Sequence, residues 1–312
     1  TWTGVDSLNK ITKAGNYYLT GNVTLTTAWT PTDGVVLCLN GYSITANANV
    51  DTIIVKSDRT FTLTDCEPAG KEGKITHGFN VETNKTHYFS GVVVSGTFNM
   101  YGGSITGNNQ SGKAVAGGGV YVGEGGIFNM YGGKITDNIS SSGGGVGVSG
   151  TFNMYGGTIS GNTADGTGTH GGGGVSVGSS STFTMNGGTI TKNNATYGGG
   201  VYMGDNTTFT MENGTITGNN AGSGGGVCVV SNVTFNMKDG TISGNNATRN
   251  GGGVCGATDA TFTFNGTVNI TGNCKGGTLN DETGKYTGGT KNNVHLFPEQ
   301  NITIGAGLTN DA

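Results

Sequence analysis

Charge and proline are scarce in this sequence. Charged residues make up only 11% of the 312 residues, proline occurs three times, and the net charge is −4 at pH 7. Ordinary soluble domains carry about 25% charged residues. Binding to nucleic acid depends on many lysine and arginine contacts to phosphates, so no nucleic-acid partner is expected. No apolar run reaches the roughly 18 residues that a membrane-spanning helix requires, so membrane insertion is not expected either.

Cysteine is limited to five residues, and none of them belongs to a C-x-x-C pair. Neither a metal site nor another cofactor is therefore predicted. Cys228 and Cys255 follow the same G-G-G-V pattern in consecutive repeats, which makes them neighbours if the repeats stack. A disulfide and two free thiols both remain open for this pair, because directly stacked Cβ atoms lie slightly too far apart for relaxed disulfide geometry.

Glycine, by contrast, is abundant, with 64 residues, and one phrase is repeated along the chain. The phrase is GTFNMYGGTISGN at residues 150–162, and from Phe98 on its copies follow one another at intervals of 24–31 residues. An earlier copy is VLCLNGYSITAN, in which Leu37 takes the Phe position, Leu39 the Met position and Ile44 the Ile position. The phenylalanines of the repeat are Phe61, Phe98, Phe128, Phe152, Phe183, Phe209, Phe235 and Phe262. About nine copies result, a pattern typical of solenoids and propellers.

The alternation inside each copy decides between these architectures. F-x-M and V-x-V alternate with period two, which predicts strands of three to five residues, too short for propeller blades. Glycines before and after these strands supply the corners. The prediction is an all-β fold: a right-handed, single-stranded parallel β-helix (β-solenoid) of about nine coils of 24–31 residues. Phe, Met, Ile and Val are expected to point inward in continuous columns.

A repeated asparagine marks one corner of every predicted coil. Stacked asparagine amides can bond to one another and to backbone groups, so a ladder is expected there. Residues 1–34 hold both tryptophans and are expected to form an N-terminal cap, and residues 35–290 the β-helix, with an excursion at 64–90. Residues 291–312 are expected to form the last strands, with the natural chain continuing beyond them. The asparagines are Asn108, Asn138, Asn162, Asn193, Asn219, Asn245 and Asn273.

Three longer segments carry a resemblance to known proteins. They are AGNYYLTGNVTLTTAWTPTDGVVLCLNGYSIT, FTMNGGTITKNNATYGGGVYM and NNVHLFPEQNITIGAGLT. Together they resemble the parallel β-helix regions of large surface proteins from Gram-positive gut bacteria. The resemblance implies export to the cell surface and adhesin-type recognition of a host protein, such as a mucosal glycoprotein or an immunoglobulin, or of a polysaccharide. Polymorphic outer-membrane adhesins are similar in architecture only, since their repeats read GGA-[ILV] and F-x-x-N. No catalytic residue is carried over.

An enzyme that degrades polysaccharides is the main alternative, because parallel β-helices also host such enzymes. A glycosidase needs two carboxyl groups about 5 to 9.5 Å apart, and the repeat offers no such pair. Glu124 and Asp205 share a column, but three coils separate them by roughly 14 Å, and the neighbour of Glu212 is Lys238. The local density of titratable groups lies in the excursion, where a solvated loop is favoured over a catalytic site. Its members are Asp65, Glu67, Glu72, His77, Glu82 and His87.

Outward positions of the coils are mostly Thr, Asn, Ser and Gly, and tyrosine interrupts this pattern. Tyr101, Tyr131 and Tyr155 follow the Met of three successive copies and should form an outward strip about 10 Å tall. Tyr121 and Tyr202 should also face outward, beside the GGG corners. Exposed aromatic rings suit sugars or a protein partner, so these five tyrosines are the predicted ligand-binding residues. Stacked tyrosines that merely stabilise the ladder are the alternative.

The variable loops and the outward threonines are two further candidate binding surfaces. The loops between the asparagine and GGG vary in length and sequence, and the longest contains Asp165 and His170, which are interpreted as polar loop residues. Outward threonines of the T-I-T segments resemble the arrays of some ice-binding solenoids, but Lys134 interrupts them and threonine is favoured in strands anyway. The favoured hypothesis is therefore a non-catalytic recognition domain or stalk on the cell surface.

Overall fold

Parallel strands stack coil upon coil in the computed structural model, which describes residues 1–66, 70–78, 89–110, 116–166, 171–280, 283–297 and 302–304. Within these ranges the chain is all-β, with one 3-10 turn at Leu8–Lys10, and the predicted β-solenoid is confirmed. One of its sheets has nine strands, which lie on nine consecutive coils. Eight full turns therefore separate the first of these strands from the last.

Each complete coil contributes strands to four faces, named here after their sequence patterns. The F-x-M face consists of Trp2–Val5, Gly15–Leu19, Val35–Cys38, Thr60–Thr64, Thr97–Met100, Ile127–Met130, Thr151–Met154, Thr182–Met185, Thr208–Met211, the first halves of Thr234–Ser243 and Thr261–Thr271, and Ile302–Ile304. The T-I-T face consists of Val23–Leu25, Ser43–Ala46, Lys74–His77, Ser104–Thr106, Lys134–Thr136, Thr158–Ser160, Thr189–Thr191, Thr215–Thr217 and the second halves of the two long strands.

The two remaining faces complete the coil. The short-strand face consists of Asn109–Gln110, Ile139–Ser140, Thr163–Ala164, Asn194–Tyr197, Asn220–Ser223, Asn246–Asn250, Cys274–Lys275 and the antiparallel Thr290–Lys291. The V-x-V face consists of Ile53–Val55, Val92–Val94, Val120–Val122, Val146–Val148, Val175–Val177, Val201–Met203, Val227–Val229, Val254–Gly256 and Val294–Leu296. A separate antiparallel hairpin joins Thr278–Asn280 to Lys285–Thr287.

The core is a set of columns in which identical side chains lie above one another. Phe98, Phe128 and Phe152 are in register on consecutive coils, and each is fully buried. From Phe61 to Phe235 neighbouring rings stack with centroids 4.7–5.6 Å apart. At the amino-terminal end of the column the Trp29 ring packs edge-on against Phe61, with centroids 5.5 Å apart. Alternating side chains thus bury one apolar side per coil, as the period of two requires.

The predicted asparagine ladder is present and fully hydrogen-bonded along its length. The Oδ1 atom of Asn193 accepts bonds from the backbone N and the Nδ2 of Asn162. Its Nδ2 donates to the Ile159 carbonyl oxygen and to Asn219 Oδ1, and all four distances are 3.0 Å. The structure adds Asn293, whose Oδ1 accepts from the backbone N of Asn273. Buried amides can be tolerated here because each one is satisfied by its neighbours.

The first coils show how the chain begins the stack and where one predicted alignment fails. Residues 1–34, expected as a cap, contain strands paired in register with the following coils, with Asn16 opposite Val36 and Val23 opposite Ile44. The predicted place of Leu37 was wrong, because Val35 lies opposite Phe61 and Leu37 opposite Leu63. This coil has two more residues between the Phe and Ile positions than the coils from Phe98 to Phe235, and alternation alone could not reveal where they are accommodated.

The cysteines also pair differently from the possibility raised for Cys228 and Cys255. These two residues are in register on consecutive coils, but both are buried free thiols, as is Cys274. The disulfide joins Cys38 to Cys66, 28 residues apart. The bond therefore links the end of one F-x-M strand to the turn that follows the next one.

Candidate functional site

Tyr101, Tyr131 and Tyr155, called here the tyrosine column, follow the last residue of three consecutive F-x-M strands. The backbone N of Tyr131 donates to the carbonyl oxygen of Met100 at 2.8 Å, and that of Tyr155 to Met130 at 2.7 Å. These bonds hold the three residues in the same position of successive coils. Because each preceding methionine is buried, alternation directs the tyrosine side chain away from the core.

The rings of the tyrosine column are exposed and stacked. Tyr101 is 53% exposed, Tyr131 39% and Tyr155 46%. Ring centroids lie 4.5 Å apart between Tyr101 and Tyr131 and 4.8 Å apart between Tyr131 and Tyr155, with interplanar angles of 10° and 6°. Desolvation by the neighbouring rings, and then their charges when ionised, raise the pKa of Tyr131. The hydroxyl of the central ring is therefore kept protonated over a wider pH range.

Ring stacking determines which parts of the tyrosine column a ligand can touch. Centroids less than 5 Å apart leave no space for a sugar between two rings, so the column presents ring edges and hydroxyl groups. The next coil carries Asn186 at this position, and its backbone N donates to Met154 at 2.7 Å. Asparagine is much shorter than tyrosine, so the side of the Tyr155 ring that faces Asn186 is not covered by another ring. Beyond it, Glu212 and Lys238 form an ion pair at 2.7 Å.

Tyr121 and Tyr202 lie on the V-x-V face and not with the tyrosine column. Both side chains are half-buried, where outward exposure was predicted. The outward position they share is occupied by Gly147 and Ser176 on the two coils between them. Burial, and next the negative charges that Cys228 and Asp205 can carry, raise the pKa of Tyr202 to about 12. The five predicted binding residues are thus divided between two faces.

A cavity that the sequence reasoning missed lies next to Tyr202. Its volume is about 320 Å³, and it is lined chiefly by serine and glycine together with Tyr202 and Asp205. The signal in the sequence was the interruption of a column: V-Y-V, V-G-V, V-S-V and V-Y-M follow one another along the repeat. At Gly147 the space is filled by Ala116 and Gly117, whereas Ser176 lines the cavity.

The titratable cluster of the excursion is engaged in structural contacts where it is described. Asp65 accepts bonds from the backbone N of Gly41 at 2.9 Å and of Gly73 at 2.6 Å. Glu72 pairs with Lys134 at 3.0 Å. Glu67, Glu82 and His87 lie outside the described residues, as does His170 of the variable loop.

His77 ends the asparagine ladder. Its Nδ1 lies 3.0 Å from Asn108 Oδ1, and its Nε2 lies 2.7 Å from the Val50 carbonyl oxygen. Burial raises the pKa of the adjacent Asp51, whose carboxylate accepts from the backbone N of Ser90 at 2.7 Å. These contacts join the T-I-T face to the residues that precede the V-x-V face.

The threonine arrays of the T-I-T face are in register but only partly exposed. Thr158, Thr189 and Thr215 lie opposite one another on consecutive coils, and all three are half-buried. The exposed Lys134 occupies the same position one coil earlier.

Neither a metal centre nor a transmembrane helix is found in the part of the chain that the structure describes. There, no group of three or more His, Cys, Asp or Glu side chains could hold a metal ion. No helix in those ranges is both long and apolar enough to cross a bilayer.

Comparisons with known proteins assign the chain to no family. It matches no protein-family model, no curated protein and no solved structure. The resemblance to β-helix regions of Gram-positive surface proteins therefore remains an expectation, and the function has to be argued from the geometry.

Proposed function

We propose that this chain is a non-catalytic recognition domain of an exported bacterial surface protein, and that the tyrosine column is its main contact with a partner. The observation that carries the proposal is a row of three exposed aromatic side chains on an outer surface of Thr, Asn, Ser and Gly. Aromatic residues with a polar end are enriched at protein interfaces because they combine apolar area with a hydrogen-bonding group.

The shape of the column favours a host protein over a polysaccharide as the partner. Sugars that bind aromatic side chains lie against ring faces, and the faces between Tyr101, Tyr131 and Tyr155 are occupied by the stack itself. Ring edges and three regularly spaced hydroxyl groups suit a protein surface with alternating apolar and polar groups. A mucosal glycoprotein or an immunoglobulin is the partner class that we would test first.

The scaffold beneath the column is suited to recognition because it is held by the core on every coil. Met100, Met130 and Met154, which precede the three tyrosines, are fully buried and in register. Stacking limits the rotamers of the tyrosines before a partner arrives. Binding then costs less conformational entropy than it would for a flexible loop.

The contacts of the acidic side chains support a non-catalytic role. Asp65 fastens two backbone turns, and Glu72 and Glu212 are paired with lysines. A glycosidase requires one carboxyl group that is free to donate a proton and a second that faces the sugar. Carboxyl groups engaged in this way are poorly placed for either task.

The disulfide supports the proposal of export. Disulfides persist in oxidising compartments such as the cell surface and are rare in the cytosol. Cys38 is fully buried and bonded to Cys66, whereas the three free thiols are buried away from oxidants.

The test is a binding screen of the intact chain and of the variant Tyr101→Ser/Tyr131→Ser/Tyr155→Ser. Arrays of mucosal glycoproteins, immunoglobulins and glycans identify a partner, and mass spectrometry of the incubated polysaccharides detects cleavage. Loss of one aromatic hot-spot residue typically costs about 2 kcal/mol, or roughly 30-fold in affinity. The triple variant should therefore lose the partner while keeping its thermal unfolding transition.

Trp2→Ser is the matched control, since Trp2 is also an exposed aromatic residue but lies on the first strand. Unchanged binding by the triple variant would place the contact elsewhere. Cleavage products would contradict the non-catalytic role. No binding to any array member would favour a spacer that only separates other modules.

A further inference from the structure

A gap in the outward side chains of the V-x-V face lies beside Tyr202. Tyr121, Gly147, Ser176 and Tyr202 occupy the same position on four consecutive coils. Coils in a β-solenoid are about 4.8 Å apart, so the two tyrosine positions are separated by roughly 14 Å. Gly147 is covered by Ala116 and the backbone of Gly117, with which a side chain there would collide, so the gap lies at Ser176, between this cover and Tyr202. The cavity of about 320 Å³ opens on the Tyr202 side of this gap, and its volume lies at the lower end of the range of ligand pockets, about 300–1,000 Å³.

Hydroxyl groups dominate one side of this cavity, called here the serine cleft. Ser149, Ser176 and Ser179 line it. The Ser176 Oγ lies 2.9 Å from the Oγ of the buried Ser142, which fixes the floor. The hydroxyl group of Tyr121 donates to Ser149 Oγ at 3.4 Å. Tyr121 therefore holds Ser149 in place but does not itself line the cavity.

Tyr202 and Asp205 form the opposite wall. Tyr202 is half-buried and its backbone is fixed within a strand, so its ring is a rigid surface for a ligand. Burial raises the pKa of Tyr202 to about 12, and the hydroxyl remains a hydrogen-bond donor at neutral pH. Asp205 lies at the exposed corner that follows this strand and also lines the cleft. No lysine, arginine or histidine is among the described residues that line the cavity.

We infer that the serine cleft binds a neutral sugar unit of a glycan. The combination fits a pyranose ring: its C–H face can pack on the Tyr202 ring, and its hydroxyl groups can pair with the serines and with the Asp205 carboxylate. A carboxylate acceptor strengthens the bonds from sugar hydroxyl groups because they are charge-assisted. The same carboxylate repels sialic acids, uronic acids and sulfated sugars, which find no basic partner among the described residues of the cleft.

This site goes beyond the proposed function, because it lies on a different face of the solenoid from the tyrosine column. The two surfaces also differ chemically. The column presents ring edges in a row, whereas the cleft presents one ring wall, hydroxyl groups and a carboxylate around an open recess. Either site can therefore fail its test without affecting the other.

The experiment is a titration of the intact chain with neutral and acidic sugars of matched structure. The probes are lactose and sialyllactose, and the methyl glycosides of glucose, mannose and galactose with the corresponding uronic acids. Saturation-transfer NMR detects weak binding, and calorimetry gives the dissociation constant. We expect at least one neutral probe to bind and its acidic counterpart to bind at least tenfold more weakly.

Three variants locate the binding. Ser176→Tyr places into the cleft the ring that Tyr202 carries at the same position of the next coil, and it should abolish binding. Asp205→Asn should weaken the neutral probe about tenfold by removing a charge-assisted acceptor and should reduce the discrimination against the acidic one. Glu124→Gln is the matched control, since Glu124 follows Tyr121 as Asp205 follows Tyr202 but does not line the cavity.

The outcomes separate clearly. Loss with Ser176→Tyr, weakening with Asp205→Asn and no effect of Glu124→Gln would establish the cleft. If Ser176→Tyr fails to fold, the other two variants still decide the question. Three results would overturn the inference: no sugar binds, acidic sugars bind as well as neutral ones, or tetramethylammonium binds in place of sugars. Binding that survives Ser176→Tyr but is lost in the tyrosine-column triple variant would assign the sugar to the column.

Discussion

Replacement of Asn193 by alanine tests whether the asparagine ladder holds consecutive coils together. The fully buried side chain makes four hydrogen bonds of 3.0 Å, to groups of Asn162, Ile159 and Asn219. A hydrogen bond contributes about 1 kcal/mol net, and a buried donor left without an acceptor costs about 1–3 kcal/mol. In the alanine variant the backbone N–H of Asn162 is buried without this acceptor. Because these contributions are not additive, the free energy of unfolding should fall by about 3–5 kcal/mol.

The measurement combines denaturant unfolding with native-state hydrogen exchange. In a solenoid each coil contacts only its neighbours, so the loss of protection should centre on the coils that contain Asn162, Asn193 and Asn219. Asn186→Ala is the matched control from the same coil, since the described hydrogen bonds of Asn186 involve its backbone. The control should remain within about 0.5 kcal/mol of the natural chain. A similarly small effect of Asn193→Ala would refute the ladder as a stabilising element.

In the variant Asn193→Asp the loss of folding stability should depend on pH. The aspartate keeps the shape and can still accept the bonds from Asn162. Its second oxygen, however, would face the oxygens of Ile159 and Asn219 at positions where the amide now donates. Burial and this repulsion should raise the pKa of the carboxyl group above its unfolded value. Protonation then favours the folded state, so the loss of stability should be largest above the folded pKa and should shrink as the pH falls through it.

Two more predictions concern covalent and titrating groups. Replacing Cys38 and Cys66 by serine should lower the free energy of unfolding by up to about 3.5 kcal/mol, because the bond closes a long loop in the unfolded chain. Guanidinium unfolding measures this change, and an effect of reductant on the serine variant would contradict the assignment. Tyr202 should ionise with a pKa of about 12, so stability should be lost as the pH rises from the unfolded value near 10 through 12. Tyrosinate absorbance of the natural chain and of Tyr202→Phe measures the titration, and a normal pKa would contradict the burial.

Much of the fold could be predicted because most copies of the repeat carry the same pattern of apolar residues, glycines and asparagine. F-x-M and V-x-V alternate with period two, and side chains such as Phe128 and Val146 accordingly lie in the core. A buried amide on every coil requires a partner on the next one, so the ladder that contains Asn193 followed from its spacing. The outward direction of Tyr131 followed from the inward direction of Met130 in the same way.

The parts that could not be predicted depend on how coils of unequal length are aligned. Leu37 was misplaced because Val35, Leu37 and Leu39 all alternate inward, and only pairing with Leu63 shows which of them occupies the Met position. The Cys38–Cys66 disulfide depends on that same alignment. Alternation indicates which side of a strand a residue faces, but it does not indicate how many residues a turn contains.

The sequence by itself determined the architecture, the columns of the core and the existence of an outward row of tyrosines. Only the tertiary structure decided what those tyrosines can contact. Stacking of Tyr101, Tyr131 and Tyr155 hides the ring faces between them, whereas the small side chain of Ser176 leaves a cavity beside Tyr202. The reason is physical: a repeat fixes directions within one coil, but ring spacing and cavity volume arise between coils, where side chains from separate parts of the chain meet.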